Sequence, residues 1–167
     1  MALLDGGLRV WTAEGRPLST EPATRIARHL TSAPRPQLIA DRDEVLASID
    51  DGAVCIVDTM PEEYYRGEKS LYERAGHIPG ASNSNALDLF DESGRYRPDE
   101  DLADLIEGDR NARTITYCGG GIMASSSAFV MTRLGFTNVA VYTASLQEWA
   151  ADPACPMVVD TPEAENS

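Results

Sequence analysis

Cys118 heads the run Cys118-Gly119-Gly120-Gly121-Ile122-Met123-Ala124, and a cysteine followed at once by three glycines is suited to sulfur chemistry. The thiolate is the nucleophilic form, so a reactive cysteine needs neighbours that favour negative charge on sulfur. Consecutive glycines let backbone N–H groups turn inward around an anion. Before the cysteine, Thr114-Ile115-Thr116-Tyr117 reads as a buried strand; after it, Ser125 to Leu134 reads as a helix closed by Gly135. That order puts the sulfur at the carboxyl end of a strand and in front of the positive end of a helix. The same field would hold the outer, anionic sulfur of a persulfide, Cys–S–S⁻. A merely buried, apolar Cys118 would not need this loop, because three glycines in a row cost conformational entropy that a plain turn does not require.

The other chemistry-bearing residues read differently. Cys55, within Val54-Cys55-Ile56-Val57-Asp58, is expected inside a buried strand, and Cys155, between Ala154 and Pro156, is expected to be partly exposed. There is no C-x-x-C pair and there are only two histidines, so neither a metal nor a cofactor is expected. His77, in Gly76-His77-Ile78-Pro79-Gly80, reads as structural, bonding to backbone near the turn. Asp58, ending its strand, reads as an orienting or structural carboxylate. Arg66 and Arg74 are the cations that could donate to a substrate carboxylate or sulfonate, and a surface or interdomain salt bridge fits each equally well.

These residues must be positioned by strands alternating with helices. Apolar runs at 54–57, 114–117 and 139–142 predict three strands, with weaker ones at 38–40 and 81–83. Asp41 predicts a helix cap, with Glu44 three residues on completing a capping box for a helix to about Ile49. Pro98 to Ile106 predicts a second helix, acidic at its start and with Leu102, Leu105 and Ile106 on one face. This alternation predicts an α/β domain with a largely parallel sheet over 37–157.

The segments outside that core carry a further pattern. Met1 to Ala13 aligns without a gap on Val139 to Ala151, pairing Ala2 with Ala140, Leu8 with Leu146, Trp11 with Trp149 and Ala13 with Ala151. The match predicts an internal repeat, with residues 1–18 as the last strand and helix of a preceding domain. Residues 19–36, rich in proline, read as a linker, and 158–167 as an acidic tail. The formal net charge of −13 argues against nucleic acid as a partner. No run approaches the roughly 18 to 20 apolar residues of a membrane span. The N-terminus lacks the features of a secretory signal, which places the protein in the cytoplasm.

The cysteine loop after Tyr117, the segment Ala75-Gly76-His77-Ile78-Pro79-Gly80-Ala81, the strand ending in Asp58, and Val139-Ala140-Val141-Tyr142 followed by Leu146 and Trp149 together resemble the rhodanese superfamily. The resemblance covers Gln37 to Met157 and is similar to the catalytic C-terminal domain of tandem sulfurtransferases. It implies a five-stranded parallel sheet with helices on both faces. It also implies transfer of a sulfane sulfur from a small donor, thiosulfate or 3-mercaptopyruvate, through a Cys118 persulfide to a thiol or cyanide. A thioredoxin-like protein is among the implied acceptors. Gly119, Gly120, Gly121, Ile122 and Met123 become the sulfur- and substrate-binding loop.

Thiosulfate-specific members carry basic residues in this loop, and none is present here. The mercaptopyruvate type is closer, although it has a hydroxyl residue where Met123 stands and an arginine near Thr59-Met60-Pro61. A cysteine phosphatase would need an arginine closing the loop, and Met123, Ala124 and Ser125 supply none. The non-enzymatic alternative is an interaction or regulatory module of the same fold, most of which lack the cysteine retained here. A face left by a missing first domain could pair with itself, giving a homodimer.

Overall fold

The computed structural model describes residues 3–22, 24, 27, 29 and 31–160. A five-stranded sheet forms where the sequence places its apolar runs: β1 (Ile39–Ala40), β2 (Val54–Asp58), β3 (Ser82–Asn83), β4 (Arg113–Tyr117) and β5 (Val139–Tyr142). All pairings are parallel and the order is β1-β5-β4-β2-β3. The expected sheet with helices on both faces is the one observed. One face carries α2 (Arg42–Ser48), α3 (Glu62–Tyr65) and α6 (Ser145–Trp149), packed around Val45, Ile56, Ile115, Tyr117, Leu146 and Trp149. The other carries α4 (Asp99–Leu105) and α5 (Ile122–Arg133), packed around Val57, Leu102, Val130 and Met131.

Local chemistry explains the elements. Asp41 accepts from the Glu44 N–H at 2.9 Å and so caps α2. The Glu44 carboxylate does not close the capping box; it pairs with Arg113 of β4 at 2.7 Å and ties the helix to the sheet. Helix α5 starts three residues before its sequence signal, because left-handed Gly121 (φ 85°) caps it directly and Ile122 is already helical.

The two minor cysteines exchange their expected environments. Cys55 is exposed: its neighbour on the same strand face, Val57, is covered by Leu102 and Ile106, whereas Cys55 lies outside that cluster. Cys155 is buried at 2% exposure, inside the cluster formed around Trp149.

A short helix, α1 (Gly7–Ala13), lies where the internal repeat predicts one. Its Leu8 and Trp11 align with the buried Leu146 and Trp149 of α6, but Leu8 is 65% exposed. Leu3 and Leu4 are not in a strand, and Met1, Ala2 and the acidic end 161–167 lie outside the described residues. The helix is held to the 91–97 loop by Arg9 donating to Glu92 O and by the Tyr96 N–H donating to Asp5. Among the described residues no helix is long and apolar enough to cross a membrane.

Candidate active site

The sheet order itself creates a site. The connection leaving β4 runs toward β5 over one face, and the connection leaving β2 runs toward β3 over the other. The connections leaving these two neighbouring strands therefore diverge at the carboxyl ends and leave a crevice there, the position at which open α/β sheets bind ligands. Asp58 and Tyr117, paired in register, end these two strands. Cys118 is the next residue.

Cys118 is a free thiol, 2% exposed. Its Sγ accepts a hydrogen bond from the Gly121 N–H at 3.2 Å, at the start of the twelve-residue α5. A donor and a helix N-terminus thus both face the sulfur. The loop backbone is fastened to α6: Leu146 N–H donates to Cys118 O at 3.0 Å and Gln147 N–H to Gly119 O at 2.9 Å. Ser145 accepts from the Cys118 N–H at 3.2 Å and donates to Tyr142 O at 2.7 Å. It is the one non-glycine residue with positive φ (53°) among those described, and these two bonds hold that strained backbone in place.

The three glycines have separate reasons. At Gly121, with φ 85°, a Cβ would stand 2.6 Å from Thr143 O. At Gly119 a Cβ would stand 2.1 Å from the Tyr72 hydroxyl oxygen. At Gly120 it would meet only the end of the Gln147 side chain, at 3.4 Å. Of the two residues that follow, Ile122 is 85% exposed, and Met123 packs partly buried between the two core clusters.

Beneath the loop lies a buried polar group. Asp58 accepts from the Met60 N–H at 2.8 Å through Oδ1, while Oδ2 is buried without a bonded partner. Burial pushes its carboxyl up to about 6, against the opposing pull of the Met60 N–H, the Tyr117 hydroxyl and the His77 ring. Burial and the Asp58 charge hold the Tyr117 hydroxyl well above the usual tyrosine range, so it stays protonated. His77 stacks on Tyr65 at 3.8 Å, and its Nδ1 lies 2.7 Å from Tyr65 O, to which it must donate since a carbonyl only accepts. His77 also exchanges backbone bonds with Val158.

The raised Asp58 carboxyl has a consequence for stability. Its folded pKa lies above its unfolded one, so stability falls as pH rises from about 4 to 6, by on the order of 3 kcal/mol. Asp58→Asn is expected to remove that slope. Urea unfolding at pH 4.5 and 7.5 should show the variant gaining on wild type at the higher pH; parallel pH dependence would refute the assignment.

Neither arginine bonds to the cysteine loop among the described residues. Of the two readings of Arg74, substrate donor and structural cation, its bonds fit the second. Its guanidinium donates to the backbone carbonyls of Trp149, Ala150, Asp152 and Cys155, which close the end of α6 and the turn beyond it. Arg66 stays half-exposed at the end of α3, paired with Glu62 one turn back. Two residues missed in the sequence stand close by instead. Tyr72 and Lys69 line a cavity of about 10 Å³ with Met60, Tyr64, Leu146 and Arg74 itself, room for one water. The only sequence signal for Tyr72 is indirect, the glycine at position 119 that its hydroxyl requires.

Comparison with known proteins places this architecture. The chain is 31% identical over 157 residues to the thiosulfate sulfurtransferase of Azotobacter vinelandii, covering 92% of this chain and 58% of that protein. It is 30% identical over 160 residues to the "Probable 3-mercaptopyruvate sulfurtransferase" of Pseudomonas aeruginosa, covering 93% and 56%. The chain thus spans less than two thirds of the length of these curated relatives. Among solved structures, EanB in a cysteine-persulfide form with ergothioneine superposes with a TM-score of 0.83 at 23% identity, over 95% of this chain and 41% of that one. The anaerobic ergothioneine biosynthesis enzyme of Chlorobium limicola, bound to trimethyl histidine, gives 0.79 at 24%, with the same coverage. At that identity the likeness is one of fold. Residues 41–152, from the cap of α2 through the cysteine loop to the turn after α6, match the Rhodanese-like domain, and the chain belongs to the rhodanese family.

Proposed function

We propose that the protein is a sulfurtransferase that carries sulfane sulfur on Cys118. The observation that carries this reading is the cysteine's placement, with its Sγ accepting from the Gly121 N–H at the mouth of α5, where the connections leaving β2 and β4 diverge. The Cys118 thiolate attacks the sulfane sulfur of the donor and forms a new S–S bond. With thiosulfate the donor's own S–S bond breaks, and sulfite leaves with the electron pair. With 3-mercaptopyruvate the C–S bond breaks, and the carbon takes a proton to give pyruvate. An acceptor thiolate or cyanide then attacks the outer sulfur, and the electron pair of the breaking bond returns to Cys118 Sγ. No metal or cofactor enters these steps.

The loop suits an anionic outer sulfur more than a large anionic donor, since no cation touches it among the described residues. Lys69, on the cavity that Tyr72 also lines, is a candidate to guide a donor, with its ammonium 3.3 Å from Glu63. The exposed Ile122, directly after the loop, and Leu71, beside Tyr72, give the site an apolar rim. Such a rim fits an acceptor that is itself a protein thiol.

Intact-protein mass after exposure to thiosulfate and, separately, to 3-mercaptopyruvate tests the proposal. Gain of one sulfur atom is expected, and the donor that achieves it assigns the substrate. No gain from either donor would favour the non-catalytic interaction module.

A further inference from the structure

Tyr72 lies in an irregular segment between two left-handed glycines, Gly67 (φ 81°) and Gly76 (φ 98°), where no strand or helix fixes it. Its neighbour Ser70 ties the segment locally, accepting from the Tyr72 N–H at 3.1 Å and donating to Tyr72 O at 2.9 Å. The ring packs against the cluster that contains Cys118, Met60 and Leu146. The hydroxyl sits directly over the residue after the cysteine, so close that any side chain at position 119 would overlap it. Among the described residues that hydroxyl bonds to no protein group, although its ring lines the small cavity beside Met60 and Leu146. The hydroxyl is therefore free to donate, and the sulfur of the neighbouring Cys118 is the acceptor the site offers it.

We propose that the Tyr72 hydroxyl is a catalytic residue that donates a hydrogen bond to the outer sulfur of the Cys118 persulfide. The inference rests on the sulfur-carrier reading above. The Gly121 N–H serves the inner sulfur, and Lys69 is engaged with Glu63, so Tyr72 is the side-chain donor available to join the loop N–H groups at the outer one. Burial and the charge on Cys118 both raise the phenol's titration, so it keeps its proton and remains a donor at neutral pH. No proton is transferred. As cyanide attacks, its carbon bonds to the outer sulfur, the S–S bond breaks, and the electron pair returns to Cys118 Sγ. The hydroxyl meanwhile screens the outer sulfur's charge from the incoming anion.

The test makes the persulfide chemically, so that it does not depend on the natural donor. In a Cys55→Ser background, a dipyridyl disulfide converts Cys118 to a mixed disulfide. Hydrosulfide then displaces the thiopyridone and leaves Cys118–S–SH. Cyanide is added and thiocyanate release is timed. Tyr72→Phe keeps the ring and loses the hydroxyl; it is expected to slow release roughly tenfold, with its thermal midpoint unchanged. Gly119→Ala, which displaces the hydroxyl, should slow release similarly, and the double variant should be no slower than either single one. Release at the wild-type rate from Tyr72→Phe, or additive slowing in the double variant, would overturn the inference. A protein that takes no sulfur from thiosulfate or 3-mercaptopyruvate, yet shows this Tyr72 dependence, would sink the donor assignments and leave the hydroxyl's role standing.

Discussion

Cys118→Ser is expected to fold like the wild type and to gain no sulfur from any donor, a loss of roughly a thousandfold or more in loading rate. The change is nearly isosteric, and the site is held by bonds the side chain does not make: Ser145 to the Cys118 N–H, and Leu146 and Gln147 to the carbonyls of Cys118 and Gly119. The serine hydroxyl cannot ionise at neutral pH and cannot hold a sulfane sulfur, so chemistry is lost while structure is kept. Mass spectrometry of the intact variant, paired with its unfolding curve, reads both. Cys55 requires a control, because it is exposed and open to nonspecific sulfuration. Cys55→Ser should load as the wild type does, and a Cys118→Ser protein that still gained sulfur on Cys55 at the wild-type rate would remove Cys118 from the mechanism.

Gly121→Ala is expected to destabilise the fold by about 2–4 kcal/mol and to abolish loading. The backbone there is left-handed, and the added methyl would stand 2.6 Å from Thr143 O and 3.1 Å from Thr143 Cα. Both are backbone atoms of the turn that carries Ser145, so nothing can swing aside. Relief requires parting the cysteine loop from α6 and losing the N–H donor to the sulfur. Gly120→Ala is the matched control. Its methyl would meet only a flexible Gln147 side chain, and both stability and loading should stay near wild type. Urea midpoints and loading rates of the pair, if equal, would refute this division of labour among the glycines.

The contrast shows what the sequence could reveal. The strands, the Asp41 cap and the cysteine between strand and helix are legible because each depends on local periodicity or on a few adjacent residues. The Cys-Gly-Gly-Gly run announces a tight loop, but not which glycine is indispensable, since that depends on Thr143 and Tyr72, distant in the chain. Arg74 illustrates the same limit. A cation beside Ala75-Gly76-His77 looks available to substrate until the fold presents it with four carbonyls from residues 149–155. Tyr72 was invisible because its segment has no period to read. Cys55 and Cys155 were placed by their immediate neighbours, whereas their burial is decided by which helix covers each end of the sheet.

The pairing of β1 with β5 also sets the order in which the molecule can be completed. Ile39 meets Val141, about 100 residues apart in the chain, and β1 has no other partner in the sheet. Closing so long a loop is slow, and it must wait for β5 to be synthesised. Everything that steadies the cysteine loop from outside, Ser145, Leu146 and Gln147, comes later still, and the carbonyls that occupy Arg74 come last. On a ribosome, strands β2 to β4 and the thiol itself emerge well before this frame exists. The Cys118 loop is therefore organised only at the end of folding, and a nascent chain holds that thiol without its frame.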